Sequence, residues 1–455
     1  MDLSSELKGV VPEGRVVADP EDLERHGGGI FTYHAPRPPD VVVRPESREE
    51  VVEVLRFADG RGVPVVPFGE GSSLEAQTIP VRGGISLDMG RMDGIVEVRP
   101  DDFVARVQPG VTHERLNAEL ARHGLFFSVD PGWDASLGGM AGTNASGTNA
   151  VRYGVMRDQV LDLEVVLADG TVMRTGGMAM KSSAGYHLTG LFVGSEGTLG
   201  VFTELTLRLY PVAEKVLAAR AVFPDVEAAG RAAVAVIRSG MQIGRVELVD
   251  ARTVEAVNAY KGTRYAVSPT LFLEFSGSEA GVEADVAKAR ALSDAEGCGG
   301  FEFEADAGGR ERLWEARHEA GLAIARLNPD KKPMTTDVCV PISELPGALG
   351  HARRTIAEHG FDGAILGHVG DGNYHAVFPV DIGNEEEMGR AGEVDAKIVR
   401  YALGLGGTCT GEHGVGTGKR GHLEEEHGDT LPFMRAVKRL ADPNGILNPG
   451  KIFAG

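Results

Sequence analysis

The sequence predicts an α+β protein of more than one domain, on three observations. The chain has 455 residues, roughly three times the length of an ordinary single domain. In its first half, short strand-like runs joined by turn residues alternate with amphipathic helical stretches. After Pro211 the pattern changes to long alanine-rich helical segments interleaved with apolar strands. Apolar residues make up 42% and charged residues 25%, a globular balance that excludes global disorder and a fibrous repeat. The formal net charge of −20 repels phosphate backbones and anionic headgroups, which speaks against a nucleic-acid role. No run approaches the length of a membrane span, and the N-terminus lacks a basic stretch followed by an apolar one. The expectation is a cytoplasmic protein, with peripheral association at a membrane surface left open. Cys298, Cys339 and Cys409 are far apart and form no CxxC pair, so they are expected as buried core thiols rather than a disulfide framework or a zinc site.

Residues 1–35 are read as a separate N-terminal segment. Ser47 and Glu50 then form a capping box ahead of Val51, Val54, Leu55 and Ala58, one apolar face of a helix of about three turns that stops near Gly60 and Gly62. Val63 to Phe68 reads as a short buried strand whose prolines point to an edge or end position. Ile95–Val98 and Val104–Val107 flank Pro100-Asp101-Asp102, and Val160–Leu167 and Val172–Arg174 flank Asp169-Gly170; both are hairpin signals. A mixed α+β domain with antiparallel pairing is expected over 36–213. A second domain over 214–415 carries strands such as Thr270–Phe275 and Ala364–Val369. The tail, 416–455, with a helix over Leu431–Leu440, is too short to stand alone and must dock back on the first domain.

Glycine is the compositional outlier, at 63 residues, about twice average usage. Much of the excess sits in four segments. Gly69-Glu70-Gly71-Ser72-Ser73-Leu74 clusters backbone N–H groups and two hydroxyls as an anion-binding nest would. A surface turn is the bland reading, and a Rossmann fingerprint is excluded by the missing third glycine. The stretch from Asp130 to Gly147 has few large apolar side chains, so a flat ligand against its backbone explains it better than core formation. Gly194-Ser195-Glu196-Gly197-Thr198-Leu199-Gly200-Val201 closes the same domain ahead of a final strand.

The fourth segment carries chemistry. Leu366-Gly367-His368-Val369 and Tyr374-His375-Ala376-Val377 flank the turn Gly370-Asp371-Gly372-Asn373. A hairpin with Val369 opposite Tyr374 puts His368 opposite His375, with Cβ atoms about 5 Å apart, near enough to share a metal ion. Two satisfied structural histidines are the alternative. In Thr408-Cys409-Thr410-Gly411-Glu412-His413-Gly414-Val415-Gly416-Thr417-Gly418-Lys419, a carboxylate and an imidazole are adjacent in a loop with little bulk. Two His and one Glu make an N,N,O set suited to zinc or another divalent ion such as manganese. The loop is not a Walker A element, because the glycine spacing is wrong and Arg420 follows Lys419.

On these segments the chain resembles the FAD-dependent oxidoreductases of the vanillyl-alcohol oxidase and p-cresol methylhydroxylase type, from about Pro36 to Phe453. Within that family it resembles the group of cytochrome-type D-lactate dehydrogenases, glycolate oxidase flavin subunits and D-2-hydroxyglutarate dehydrogenases. The resemblance implies a p-cresol methylhydroxylase-type FAD-binding domain and an α+β substrate domain with an antiparallel sheet. It implies that Pro67, Gly69, Glu70, Gly71, Ser72, Ser73 and Leu74 cradle the FAD pyrophosphate. Pro131, Gly132, Ser136, Gly138, Gly139, Met140, Asn144, Gly147, Glu196, Gly197 and Val201 would line the flavin and its ribityl chain, with Asn448 a further cofactor contact. No histidine lies in Glu70–Leu74 to tether the flavin, so noncovalent FAD is implied. The matching motifs make His368, His375 and Glu412 the metal ligands, His413 the catalytic base and Arg317 the partner of the substrate carboxylate.

The implied function is oxidation of a D-2-hydroxy acid, D-lactate first, to the 2-oxo acid with hydride transfer to flavin N5. Electrons would pass to a cytochrome, a quinone or an electron-transfer flavoprotein, and a homodimer stays open. Where the hydroxyglutarate enzymes carry a lysine for the distal carboxylate this chain has Thr335, and two further polar positions are Gly321 and Val377. A monocarboxylic substrate is therefore favoured, since a second buried carboxylate would lack partners. A glycolate oxidase flavin subunit, a hydroxyglutarate dehydrogenase and a non-catalytic flavoprotein subunit are the alternatives.

Overall fold

In the computed structural model, which describes residues 2–29, 32–304 and 306–453, the chain divides into two units. The first comprises 1–146, 154–212 and 412–455, and the second 147–153 and 213–411. The chain thus re-enters the first unit at Glu412, so Glu412 and His413, read with the second domain, belong to the first. The N-terminal segment is no separate element either, because Leu7, Val11 and Val16 share one buried core with Ile446 and Leu447.

The first unit holds two main sheets. One has four strands in the order Val16–Val17, Val41–Val43, Ile85–Asp88, Val65–Phe68, and both Val41–Val43 and Val65–Phe68 run parallel to Ile85–Asp88. The expected antiparallel pairing holds in the second sheet, and the parallel pairing here has a physical reason. The helix Arg48–Arg61, capped by the Ser47 side chain accepting from the Glu50 amide, is long enough for the crossover that parallel neighbours need. Val65–Phe68 sits at the sheet edge, as its prolines require. The second sheet is antiparallel, in the order Ile95–Arg99, Val104–Val107, Val201–Arg208, Val160–Val166, Val172–Arg174, and both expected hairpins are present.

The second unit is built on a sheet whose recorded pairings are all antiparallel, in the order Gly300–Glu304, Lys215–Val222, Thr270–Gly277, Ile243–Val249, Ala364–Gly367, Asn373–Val380, Lys332–Thr335. Residues 147–153 join it through polar contacts: Arg152 donates to the Ser276 carbonyl at 2.7 Å, and Arg245 donates to the Asn149 side chain at 2.9 Å. Of the cysteines only Cys409 is buried; Cys298 and Cys339 are half-buried. The Cys339 thiol is pushed up to about 12 by burial and by Asp371 and Asp337, which keeps it protonated and unreactive.

The tail is fastened into the first unit by buried polar groups. Lys438, on the helix Leu431–Ala441, donates to the carbonyls of Thr198 and Leu447 and pairs with Asp442. The loop 414–418 lies so close to the strand-following loop that a Cβ on Gly416, at φ +48°, would stand 1.8 Å from the Glu75 carbonyl oxygen. The Thr417 amide donates to that same oxygen at 2.9 Å. Gly416→Ala is accordingly expected to cost roughly 2 kcal/mol or more, since it adds overpacking to a strained backbone. Chemical denaturation of both proteins measures this, and an unchanged midpoint would show that the loop yields freely.

Candidate active site

In the first unit the three glycine-rich segments pack on one another. A Cβ on Gly69 would fall 2.4 Å from the Ser136 hydroxyl, and one on Gly197 would fall 2.8 Å from the Pro67 ring. The Gly194 and Glu196 amides donate to the Ala141 and Gly142 carbonyls. Part of the glycine content therefore serves segment-to-segment approach rather than a ligand, and Gly138 likewise is held against Pro109. What remains open fits a polar, flat cofactor. Added Cβ atoms on Gly132 and Gly142 would meet nothing within 4 Å, and the buried Ser73 and Ser195 hydroxyls have no hydrogen-bond partner among the described residues. Pro67 lies within the edge strand Val65–Phe68, Glu70 and Gly71 to Leu74 form the loop beyond it, Pro131 precedes the short helix Leu137–Thr143, Gly139 lies in it and Asn144 caps its end. Met140 and Val201 are buried in hydrophobic cores. Gly147 falls in the second unit.

Two residues read as cofactor contacts have their side chains turned to other work. The Glu196 carboxylate accepts from the Val415 amide at 2.6 Å and the Gly416 amide at 2.8 Å. Asn448 donates to the carbonyls of Gln77 and Glu196. Gln77, which the sequence did not single out, donates to the His413 carbonyl at 2.7 Å. Together they seat the loop bearing Glu412 and His413, where Ser146 donates to Glu412 at 2.9 Å and the His413 ring lies 3.3 Å from the Glu412 carboxylate.

In the second unit the paired strands place His375 opposite Leu366, two positions from the register expected. His368 lies in the turn beyond Gly367, because that glycine is pressed to within 2.5 Å, at its missing Cβ, of the Tyr374 backbone. The Asp371 and Gly372 amides close the turn on the His368 and Val369 carbonyls. The two imidazoles still meet, edge to face, with centroids 5.9 Å apart, and a nitrogen of one ring lies within 4.8 Å of a nitrogen of the other. Each ring commits Nδ1 within the unit, His368 to Glu247 at 2.7 Å and His375 to the Thr336 carbonyl at 3.3 Å. Nε2 is thus the nitrogen through which each ring could hold a metal ion, an imidazole pair of the type divalent first-row metals take.

Glu247 was not read from the sequence. It is fully buried on the strand Ile243–Val249 and also accepts from Arg317 at 2.5 Å. Burial on its own would push its pKa up, but the nearby His368 and Arg317 outweigh that and leave it below the ordinary carboxylate value. Its signal was a lone acid inside an apolar strand, at Val246-Glu247-Leu248. Arg317 itself is buried, and its Nε–H has no hydrogen-bond partner among the described residues. Thr335 pairs directly with Val377, and Val377 shares a strand face with His375.

Residues 212–452 match the family of FAD linked oxidases, C-terminal domain, and residues 39–176 match an FAD binding domain. The chain belongs to the FAD-linked oxidases. It is 45% identical to a probable D-lactate dehydrogenase, mitochondrial, of Danio rerio over 94% of its own length and 87% of that protein. It is 40% identical to a D-lactate dehydrogenase [cytochrome], mitochondrial, of Arabidopsis thaliana over 99% and 80%. Against glycolate oxidase subunit GlcD of Bacillus subtilis the identity is 35%, over 96% and 95%. The fold matches a crystal structure of p-cresol methylhydroxylase with TM-score 0.82 at 20% identity, covering 99% of this chain and 96% of that one. The p-cresol methylhydroxylase-type fold and the FAD cofactor expected from the sequence are thereby established. No helix among the described residues is long and apolar enough to cross a membrane. Two of the relatives are mitochondrial by name, so the cytoplasmic location rests on the sequence reading alone.

The seating of the Glu412–His413 loop on Glu196 has a pH signature. Burial, the largest influence, pushes the Glu196 carboxyl from 4.5 up to about 7. The folded chain therefore holds this proton more tightly than the unfolded one, and the stability so gained is lost as pH rises from about 4.5 to about 7. Glu196→Gln, which cannot ionise, escapes that loss. Its unfolding free energy relative to wild type should improve by on the order of 3 kcal/mol between pH 4.5 and pH 8. Denaturation curves at both pH values test this; a pH-independent difference would show that Glu196 does not titrate there.

Proposed function

We propose that this FAD-linked oxidoreductase oxidises a D-2-hydroxy acid, D-lactate first, to the 2-oxo acid. The observation that carries the reading is the Arg317–Glu247–His368 arrangement, in which a buried guanidinium with an unpaired Nε–H shares one carboxylate with an imidazole. An α-hydroxy carboxylate offers the matching groups, an anion for the guanidinium and an adjacent hydroxyl. The names of the D-lactate dehydrogenase relatives support the same substrate class.

Arg317 holds the substrate carboxylate and so fixes the face of Cα that is presented. His413 takes the hydroxyl proton at its ring nitrogen, which its position on a loop fastened through Gln77 and Glu196 prepares it to do. FAD, when bound, supplies the acceptor for the Cα hydride at N5. His368, His375 and Glu412 would hold a divalent ion, zinc or manganese, which when bound would supply a Lewis acid for the substrate oxygens. Thr335, Val377 and Gly321 offer no cation for a second carboxylate, in keeping with a small monocarboxylic substrate. Electrons leave to a cytochrome, a quinone or an electron-transfer flavoprotein. A second reading, glycolate as substrate, is favoured by the likeness to the glycolate oxidase subunit.

Anaerobic mixing with a panel of D- and L-2-hydroxy acids should bleach the flavin fastest with D-lactate. Failure of every 2-hydroxy acid to bleach it would exclude the reading, and preference for glycolate would select the second. In the His413→Asn protein FAD should stay bound while flavin reduction slows by about two to four orders of magnitude, the usual weight of a general base. Near-normal reduction would remove His413 from that role. His368→Ala and His375→Ala should each lower bound metal and activity together with FAD content unchanged. Elemental analysis decides it, because equal metal in all three proteins, or none in an active wild type, is incompatible with the site.

A further inference from the structure

We infer that Glu247 is a positioning residue that sets two groups at once, locking His368 in the tautomer that ligates through Nε2 and aiming the Arg317 guanidinium at the substrate carboxylate. The inference rests on the proposed substrate and metal reading. Its basis is geometric. One Glu247 oxygen lies 2.7 Å from His368 Nδ1 and the other 2.5 Å from Arg317 Nη2, and the residue has no exposed surface. A guanidinium is permanently protonated and the carboxylate beside it is an acceptor only, so His368 must present Nδ1–H to it. Nε2 then carries the lone pair, and the ring plane is fixed by the same bond, as carboxylates behind metal-binding imidazoles do.

The strand context explains why no other residue substitutes. Ile243–Val249 lies beside Ala364–Gly367, with Leu248 paired to Gly367, so position 247 borders the residue that leads into His368. His375 obtains its Nδ1 partner from a backbone carbonyl instead, which no side-chain substitution removes. His375 Nδ1 also lies 3.7 Å from the Asp337 carboxylate, so the two imidazoles are oriented by different groups, and the one behind His368 is Glu247. Glutamine at 247 keeps the shape but has one acceptor oxygen for two donors, so either His368 or Arg317 faces an amide N–H.

The test uses the FAD-bound enzyme stripped of metal with a chelator. In wild type, 15N-labelled histidine NMR should show His368, assigned by its loss in His368→Asn, as the Nδ1–H tautomer; the Nε2–H tautomer would overturn the inference, whatever the fate of any variant. Glu247→Gln should mix the tautomers, weaken zinc binding in a zinc chloride titration by about 10- to 100-fold, and raise the D-lactate KM more than it lowers kcat, with FAD content unchanged. Glu247→Asp, which restores two acceptors, should recover part of the zinc affinity. Lower thermal stability with an unaltered tautomer and unaltered zinc affinity would make Glu247 a structural ion pair and sink the proposal. A wild type that takes up no zinc would overturn the metal reading, while the tautomer comparison between wild type and Glu247→Gln still decides the role of Glu247.

Discussion

The first unit depends on a carboxylate that has no water to rest in. Glu196 is buried, sits at φ +52°, and gives both oxygens to backbone amides of a loop more than two hundred residues away in sequence. Burying a charge is costly unless donors replace its hydration, so the loop cannot drift from Glu196 without exposing that cost. Lys451 contributes from nearby; its burial depresses its own basicity to about 8, and it donates to the Ile79 carbonyl at 2.5 Å. The glycines at 414, 416 and 418 are what let the backbone come this close. Rigid seating of Glu412 and His413 follows from this one contact more than from hydrophobic packing.

The second unit solves a related problem with different means. His375 stands on a strand, His368 in a turn and Arg317 on a helix, and the buried Glu247 ties His368 to Arg317. Both units thus place an acidic side chain in a buried setting and satisfy it with fixed donors. Such networks specify geometry because a half-satisfied version is worse than none.

How much of this the sequence disclosed follows from which signals are local. The Ser47 cap, the hairpins across Pro100 and Asp169, and the helix near Leu431 are encoded within a few residues, and they stand where the pattern placed them. The parallel sheet was hidden because Val41–Val43 and Ile85–Asp88 are too short to show a period. The turn after Ala364–Gly367 slipped by two positions because the deciding contact, Gly367 against the Tyr374 backbone, is steric rather than compositional. Glycine-rich segments were rightly read as a close approach, yet the approaching partner is often another glycine-rich segment. Glu247, Gln77 and the placement of residues 147–153 depend on contacts across long separations, which no window of sequence contains.

The make-up of the first unit has a further consequence for how the protein comes into being. Its core includes Leu7 and Val43 at one extreme and Ile446 and Leu447 at the other, and the Leu447 carbonyl is one of the acceptors for Lys438. The intervening residues 213–411 form the second unit entire but for a seven-residue strip supplied earlier. Synthesis is vectorial and domains tend to fold as they emerge. The sheet of the second unit can therefore close while the core of the first unit still waits for Ile446 and Leu447. The core of the first unit is complete only once Ile446 and Leu447 have joined it.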